Sequence, residues 1–376
     1  MLFFPRIKTL NICGRSIFSR LMSNSKALGL LYNSHGEPLD VLQVVEQKTE
    51  TLSRNQIKVR ILSAAINPAD INQVQGKYAL LHELPQIGGN ECVGEIIEIG
   101  EDCVEDRLTI GDWVVPSKAG QGGAWCNLKQ SPPEDWIALP KGLDLASAST
   151  FCVTSSTAFR MLKDFTEMVP GRDCIIQNGG NSAVGRAVIM IAKAHGIASI
   201  SIIRRKPERG EDGNENLKSE LLALGGDVVI FDDEIKDKTG WLHGTLKEQW
   251  PPKLGLNCVG GDSALSLAKV LAKGGTLVTY GGMSKAPLKI PTGLLIFNDL
   301  IFKGFWMTRW SNEAPLEKKE EMFENLGALI QKGKLTSNVK FYEFASQWRD
   351  AFAQAGFGKG TKKSVLLMSQ PSSKLS

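Results

Sequence analysis

Two different rhythms of apolar and polar residues divide the chain. From about Lys26 to Pro140 the apolar positions come in short runs cut by glycine and proline: Ala27 to Leu31, Val41 to Val45, Gln56 to Ile61, Val93 to Ile99, Trp113 to Pro116 and Trp136 to Leu139. No 3.6-residue period dominates, so the stretch predicts a compact, partly open barrel of short strands. One helix is expected within it over Asn67 to Gln75, with Asn67 as the cap and Pro68 at the first helical position.

Near Leu145 the rhythm changes. ASASTFCVTSSTAFRMLKDF (146–165) reads as one long helix, and strands then alternate with helices. Strands are expected at Asp173 to Gln177, Ile200 to Ile203, Asp227 to Phe231, Leu254 to Val259, Thr276 to Tyr280 and Leu300 to Phe305. Helices fall at Ala183 to His195, around Leu217 to Leu224, and at Ala264 to Ala272. About six strands in such a series predict an α/β fold: a Rossmann-type, doubly wound parallel sheet with a ligand crevice at the carboxyl ends of its strands. The tail from about Asn338, including Lys363 to Met368, returns to short β-like pieces and is expected to rejoin the first unit. The resulting division is 25–150, 151–335 and 336–376.

Length and composition agree with two domains. The 376 residues are 42% hydrophobic, enough to bury sizeable cores. No run of about 18 uncharged apolar residues occurs, so no membrane span is expected. A net charge of +4 is too slight for a nucleic-acid footprint. The seven cysteines are scattered without a C-x-x-C pair, which favours reduced thiols. Residues 1–24 carry Arg6, Lys8, Arg15 and Arg20 with several serines, and the first acid is Glu37. That is the composition of a mitochondrial transit peptide, and the segment is set apart from the fold.

QNGGNSAVGRAVI (177–189) lies where a phosphate loop belongs, after a strand and opening a helix. Gly179, Gly180 and Gly185, with Ala183 where another glycine could stand, let backbone approach a pyrophosphate at a helix N-terminus. The alternative is an ordinary glycine-rich turn. About 20 residues on, where NAD-preferring folds carry an acid, stand Arg204, Arg205 and Lys206. A guanidinium suits a 2′-phosphate, and charge-assisted hydrogen bonds contribute roughly 1.5–3 kcal/mol each, so NADPH is the expected cofactor. A solvated basic turn is the alternative.

Hydride transfer also needs a polarised acceptor and a proton source. Zinc would need three Cys, His or carboxylate ligands. The only histidines are His35, His82, His195 and His243, and the turn GGNECVG (88–94) carries Asn90 before Glu91, so no metal is expected. Of the four tyrosines, Tyr78 in QGKYALLHELP (75–85) lies in a loop with no obvious core to fill. A phenol with its ordinary pKa of about 10 stays protonated near neutrality and can donate to a developing enolate oxygen. A packing aromatic is the alternative.

INPADIN (66–72), QGKY (75–78), GGNE (88–91), GDWVVP (111–116), STAFRML (156–162), IQNGGNSAVG (176–185), LNCVGG (256–261), GGTLVTYGGM (274–283) and KGFWMTRW (303–310) together resemble the mitochondrial trans-2-enoyl-CoA reductases, a zinc-free branch of the medium-chain dehydrogenase/reductase superfamily. The resemblance covers nearly all of the chain after the leader. It implies a GroES-like catalytic domain enclosing the cofactor domain in sequence, a homodimer, and a cleft between the domains. It implies NADPH-dependent reduction of enoyl thioesters of CoA or acyl carrier protein in the mitochondrial matrix, with Tyr78 as the catalytic tyrosine. Cofactor contacts would fall on Gly180, Asn181, Ser182, Ala183, Val184 and Gly185, and on Arg204, Arg205 and Lys206. Tyr280, Gly281, Gly282, Met283, Phe305, Trp306, Met307 and Lys363 would complete them, with Thr154 standing where the family pattern has an asparagine. A quinone or enone reductase on the same scaffold and an NADPH-binding regulatory or nuclear-factor partner remain as alternatives.

Overall fold

The computed structural model describes residues 26–48, 50–103, 107–237, 250–356 and 361–369. The leader expected over 1–24, Cys13 and His243 lie outside the described residues.

Eight strands make the first unit: β1 (Leu28–Tyr32), β2 (Leu42–Glu46), β3 (Ile57–Ala65), β4 (Gln86–Ile87), β5 (Cys92–Ile99), β6 (Trp113–Pro116), β7 (Leu128–Ser131) and β8 (Trp136–Ala138). β2, β1 and β4 form a small antiparallel sheet. β3 is the hub of the larger one, pairing antiparallel with β5 and β7, and its residues from Val59 to Ala65 are all buried. The spacing of apolar runs foresaw the long strands and passed over β4, which has two residues, and β7, LKQS, which is too polar to register. Helix α1 (Pro68–Val74) begins as its capping sequence requires: the Asn67 N–H donates to the Asp70 carboxylate at 2.6 Å.

The expected long helix over 146–165 is broken. A turn of α-helix, Leu145–Ala148, gives way to a π-helical segment, Phe151–Ser155, before α2 (Ser156–Asp164). Two bonds account for the wide turn. Ser155 N–H donates to Thr150 C=O across five residues, and Val153 N–H turns outward to donate to the Glu91 carboxylate at 2.8 Å. The diverted backbone brings Val153 and Thr154 to the wall of the interdomain cleft.

Beyond it runs the doubly wound unit: β9 (Cys174–Asn178), α3 (Ala183–Ala194), β10 (Ala198–Ile203), α4 (Gly210–Ala223), β11 (Val228–Phe231), β12 (Pro252–Asn257), α5 (Gly261–Val270), β13 (Thr276–Thr279), α6 (Thr292–Ile296) and β14 (Ile301–Gly304). The six strands are parallel in the order β11-β10-β9-β12-β13-β14. Strand order reverses beside β9, which opens a crevice at its carboxyl end. Every residue of β9 is buried, as a central parallel strand covered on both faces demands.

Helices α7 (Met307–Glu313) and α8 (Leu316–Gln331) lead back to the first unit, where β15 (Val339–Glu343), α9 (Phe344–Ala355) and β16 (Lys363–Leu367) close the chain. β16 pairs with β3, so the last strand completes the sheet that the first hundred residues began. One apolar core joins the units: Leu62, Val93 and Val115 share it with Phe151, Ile175 and Leu256, and Phe151 meets Phe323 edge-on at 5.0 Å. Burying each such side chain contributes about 1.5–3 kcal/mol, which holds the two walls of the cleft together.

Candidate active site

The crevice beside β9 opens into a cleft of about 820 Å³ between the two units. At one end lies the loop expected to hold phosphate. Gly179 has φ of +62°, and a Cβ there would stand 2.5 Å from Cys258 Sγ. A Cβ on Gly180 would meet Ser201 at 2.7 Å, and one on Gly185 would meet Gly179 O at 2.6 Å. The loop is thus pressed onto the sheet as only glycine allows. Ser182 caps α3 by accepting from Gly185 N–H, and Asn181, Ser182, Ala183 and Val184 line the cleft. A helix start of this kind offers N–H groups and a positive dipole end to an anion. Gly180 and Gly185 shape the loop from behind without lining the cleft.

At the other end stands Tyr78. Its loop is tied down by Gln73, whose amide donates to Leu80 C=O at 3.1 Å, and by Lys77 N–H bonding to Asn72 C=O at 2.8 Å. The Trp306 indole N–H donates to the Tyr78 hydroxyl oxygen at 2.7 Å, with the rings edge to face at 6.2 Å. That bond occupies a lone pair and leaves the phenolic proton for another acceptor.

Thr154, Tyr280, Gly281, Met283, Phe305, Trp306, Met307 and Lys363 line the cleft between these ends; Gly282 lies outside its lining. Phe305 is held by an edge-on contact with Phe165 at 5.7 Å. Burial, reinforced by the neighbouring Cys258, pushes the Tyr280 phenol well above its ordinary pKa. The neutral form of Tyr280 is favoured at this buried position.

The basic turn after β10 is partly engaged by the protein's own carboxylates. Arg205 is consumed by the protein: it bonds Glu211 at 2.7 Å and Asp233 at 3.0 Å, reaches Glu234 at 3.5 Å, and lies 3.8 Å from the Phe231 ring centre. Lys206 faces Glu208 at 3.6 Å. Arg204 is exposed and makes no ion pair among the described residues. Arg209, which the sequence reading passed over, has a buried Nη1 with no hydrogen-bond partner, and burial lowers its pKa, with Arg204 and Arg186 adding to the effect. Arg204 and Arg209 are the guanidiniums left for a phosphate. Arg186, also passed over, is clamped by Glu220 at 2.8 and 3.0 Å and donates to Asn181 C=O in the phosphate loop at 3.2 Å. The signal for Arg209 was present as a fourth basic residue in RRKPER (204–209).

The cleft wall carries a buried polar network that sequence reasoning did not assemble. Lys363 Nζ donates to Asn67 Oδ1 at 2.6 Å, and Asn67 Nδ2 donates to Glu91 at 2.9 Å. Asn90 donates to Asp70 at 2.6 Å and also to Gln73, whose amide holds the Tyr78 loop. Burial pushes both carboxyls, Asp70 and Glu91, above their ordinary values, and pushes the Lys363 ammonium below its own. With amides committed to neighbours and an ammonium already facing the two carboxylates, these residues do not fit a zinc ion. Among the described residues no three His, Cys, Asp or Glu side chains are grouped to hold a metal.

Two family models match the chain, the alcohol dehydrogenase GroES-like domain over residues 53–157 and the zinc-binding dehydrogenase over 183–326. The mitochondrial enoyl-acyl-carrier-protein reductase of Xenopus tropicalis is 42% identical over 325 residues, covering 86% of this chain and 90% of that protein. The chain belongs to the mitochondrial enoyl-acyl-carrier-protein reductase family. The human member is 38% identical over 322 residues, covering 86% of this chain and 83% of its own. Among solved structures, the mitochondrial 2-enoyl thioester reductase Etr1p/Etr2p heterodimer of Candida tropicalis matches with a TM-score of 0.82 and 32% identity, covering 91% of this chain and all of that one. A complex of Etr1p with NADP and crotonyl-CoA matches with a TM-score of 0.81. Solved quinone reductases at 24% and 21% identity share the fold.

Proposed function

We propose that this chain reduces trans-2-enoyl thioesters of CoA or acyl carrier protein to saturated acyl thioesters with NADPH, in the mitochondrial matrix, as a step of fatty acid synthesis. The observation that carries the reading is the Trp306–Tyr78 hydrogen bond, which presents a phenolic proton in the same cleft as a helix-capped phosphate loop. Bound NADPH supplies the hydride for the β-carbon. The loop from Gly180 to Gly185 and the start of α3 hold its pyrophosphate, and Arg204 and Arg209 receive its 2′-phosphate. Thr154, the turn from Tyr280 to Met283, the segment from Phe305 to Met307, and Lys363 wall the reacting ring and keep water out. Tyr78 donates to the thioester oxygen as enolate charge builds there, then assists protonation of the α-carbon. A donor placed in advance interacts more strongly with the enolate than with the ground-state carbonyl, and that difference lowers the barrier.

The residues 25–150 with 336–376 form the catalytic domain of this reading, and 151–335 the cofactor domain. The working unit is a homodimer. Its support is the free edge of β14, where Ile301 is 45% exposed and Ile296 and Phe297 of the neighbouring α6 turn are 66% and 75% exposed.

The test is NADPH oxidation by the chain lacking its leader, with trans-2-hexenoyl-CoA and, in parallel, a simple quinone. Thioester turnover that falls at least about tenfold in Tyr78→Phe supports the assignment. A folded, NADPH-binding chain that reduces only the quinone overturns it.

A further inference from the structure

The first turn of α3 holds a cation where a helix least favours one. Ala183 opens α3, so Arg186 is its fourth residue, and the Arg186 side chain is only 5% exposed. The start of a helix carries the positive end of its dipole, and taking a guanidinium out of water is costly in itself. Two sets of bonds offset that cost. Nη1 and Nη2 donate to the Glu220 carboxylate at 2.8 and 3.0 Å, and Nε donates to the Asn181 carbonyl at 3.2 Å. The planar fork thus spans a carboxylate on α4 and the backbone of the glycine loop.

Asn181 C=O and Ser182 N–H belong to one peptide group, and Ser182 N–H is itself spent on Gly179 C=O at 2.9 Å. The peptide is therefore bonded at both ends, between two residues that line the cleft. Ala183 and Val184 follow it at once, and as the first residues of α3 their N–H groups have no carbonyl within the helix to bond. A planar peptide turns as a unit. Freeing its carbonyl end lets that oxygen swing toward the same N–H groups, which puts negative charge where an anion is to be held and offers the orphaned oxygen a partner there. Glu220 keeps Arg186 in place: its carboxylate also accepts from Asn338 Nδ2 at 3.4 Å, and Asn338 C=O accepts from Lys363 N–H at 2.9 Å. Gln177 of β9 braces the loop as well, donating to Gly185 C=O at 2.9 Å and to Ser201 Oγ at 3.0 Å.

We propose that Arg186, held by Glu220, is a positioning residue for cofactor binding: it locks the Asn181–Ser182 peptide so that the glycine loop meets the pyrophosphate of NADPH with N–H groups and withholds a carbonyl oxygen. The inference rests on the reading given above, in which that loop receives the pyrophosphate. Arg186 acts through the loop backbone, and its charge is already answered by Glu220. Its effect is therefore common to NADPH and NADH, which share the pyrophosphate, unlike that of Arg209.

Three ligands test it on the full chain: NADPH, NADH, and adenosine 2′-monophosphate, which has no pyrophosphate. Their dissociation constants are measured by calorimetry, weak ligands by displacement of NADPH, in wild type, Arg186→Met and Arg186→Lys, together with melting temperatures. Lysine offers one nitrogen where arginine offers three, so an ammonium placed on Glu220 leaves the Asn181 carbonyl free. The expected result is a Kd raised about tenfold for both dinucleotides in each variant, by factors that agree within twofold, with adenosine 2′-monophosphate unchanged. Arg186→Lys should regain most of the melting temperature lost in Arg186→Met, and it carries the binding test alone if the methionine variant does not fold. Dinucleotide affinity in Arg186→Lys within twofold of wild type overturns the proposal, leaving Arg186 a structural ion pair. Loss confined to NADPH overturns it by assigning Arg186 to the 2′-phosphate, and an equal loss for adenosine 2′-monophosphate does so by showing a general disturbance of the site. Wild type that binds adenosine 2′-monophosphate as tightly as NADPH overturns the underlying reading of the loop, a failure told apart because it involves no variant.

Discussion

The Trp306 indole N–H donates to the Tyr78 hydroxyl oxygen across 2.7 Å and 228 residues of sequence, joining a loop of the barrel to the start of α7. Both groups serve one proton. Tyr78→Phe removes it, and turnover of trans-2-hexenoyl-CoA should fall tenfold or more. Trp306→Phe removes a neutral hydrogen bond of about 0.5–1.5 kcal/mol, which is roughly twofold to just over tenfold in rate. In the Tyr78→Phe background the tryptophan change should add nearly nothing to the loss in kcat, and additive losses in that double-mutant cycle would sink the coupling.

The neighbouring arginines Arg205 and Arg209 should behave oppositely. Arg209→Gln is expected to raise the KM for NADPH about tenfold and leave that for NADH, which lacks the 2′-phosphate, within twofold. Arg205→Gln should lower the melting temperature through loss of its contacts with Glu211, Asp233 and Glu234, without moving the NADPH to NADH ratio. Kinetics with both cofactors on both variants decides between this division and a phosphate site centred on Arg205.

Lys363→Met leaves Asp70 and Glu91 facing each other in the interior without their ammonium. Removing one partner of a buried charge cluster costs about 3–5 kcal/mol, and urea unfolding should register it. Adding Glu91→Gln to the lysine variant should recover part of the loss. A double variant no more stable than the single one would mean that charge is not the reason.

Glu220 gives a pH dependence of known sign. Its bidentate bond with Arg186 holds the carboxyl below the usual value, against the opposing effect of burial. A depressed folded-state pKa stabilises fully above the unfolded-state value and ceases to do so as pH falls through the folded one. Melting temperatures taken from roughly pH 6 down to pH 3 should therefore fall more steeply in wild type than in Glu220→Gln. Parallel curves would remove Glu220 from the acid limb.

Phe297→Asp sets a charge on the apolar turn beside β14. The variant should sediment as a monomer where wild type sediments as a dimer. A monomeric wild type would show that the β14 edge has another use.

The repeating patterns were legible and the exceptions to them were not. Strand and helix order in the parallel unit followed from local period, because each element buries a face set by its own residues, as β9 and α3 do. The π-helical turn at Phe151–Ser155 could not be read, since the Glu91 carboxylate that draws Val153 N–H out of the helix lies 62 positions away. Arg205 looked free for the same reason: Asp233 and Glu234 come from the far end of β11. The glycine loop and Tyr78, which both reach the cleft, were singled out from local sequence, whereas the Lys363 to Asn67 link, 296 residues long, exists only in three dimensions.

That link also sets an order of events in the life of the chain. β16 is the last strand among the described residues, and until it docks on β3 the Asp70 and Glu91 carboxyls lack the Lys363 ammonium. A nascent chain that has already made its glycine loop, its basic turn and the Tyr78 loop thus lacks this ammonium until residues 363–367 are available. Losing β16 withdraws a charge from the centre of the molecule.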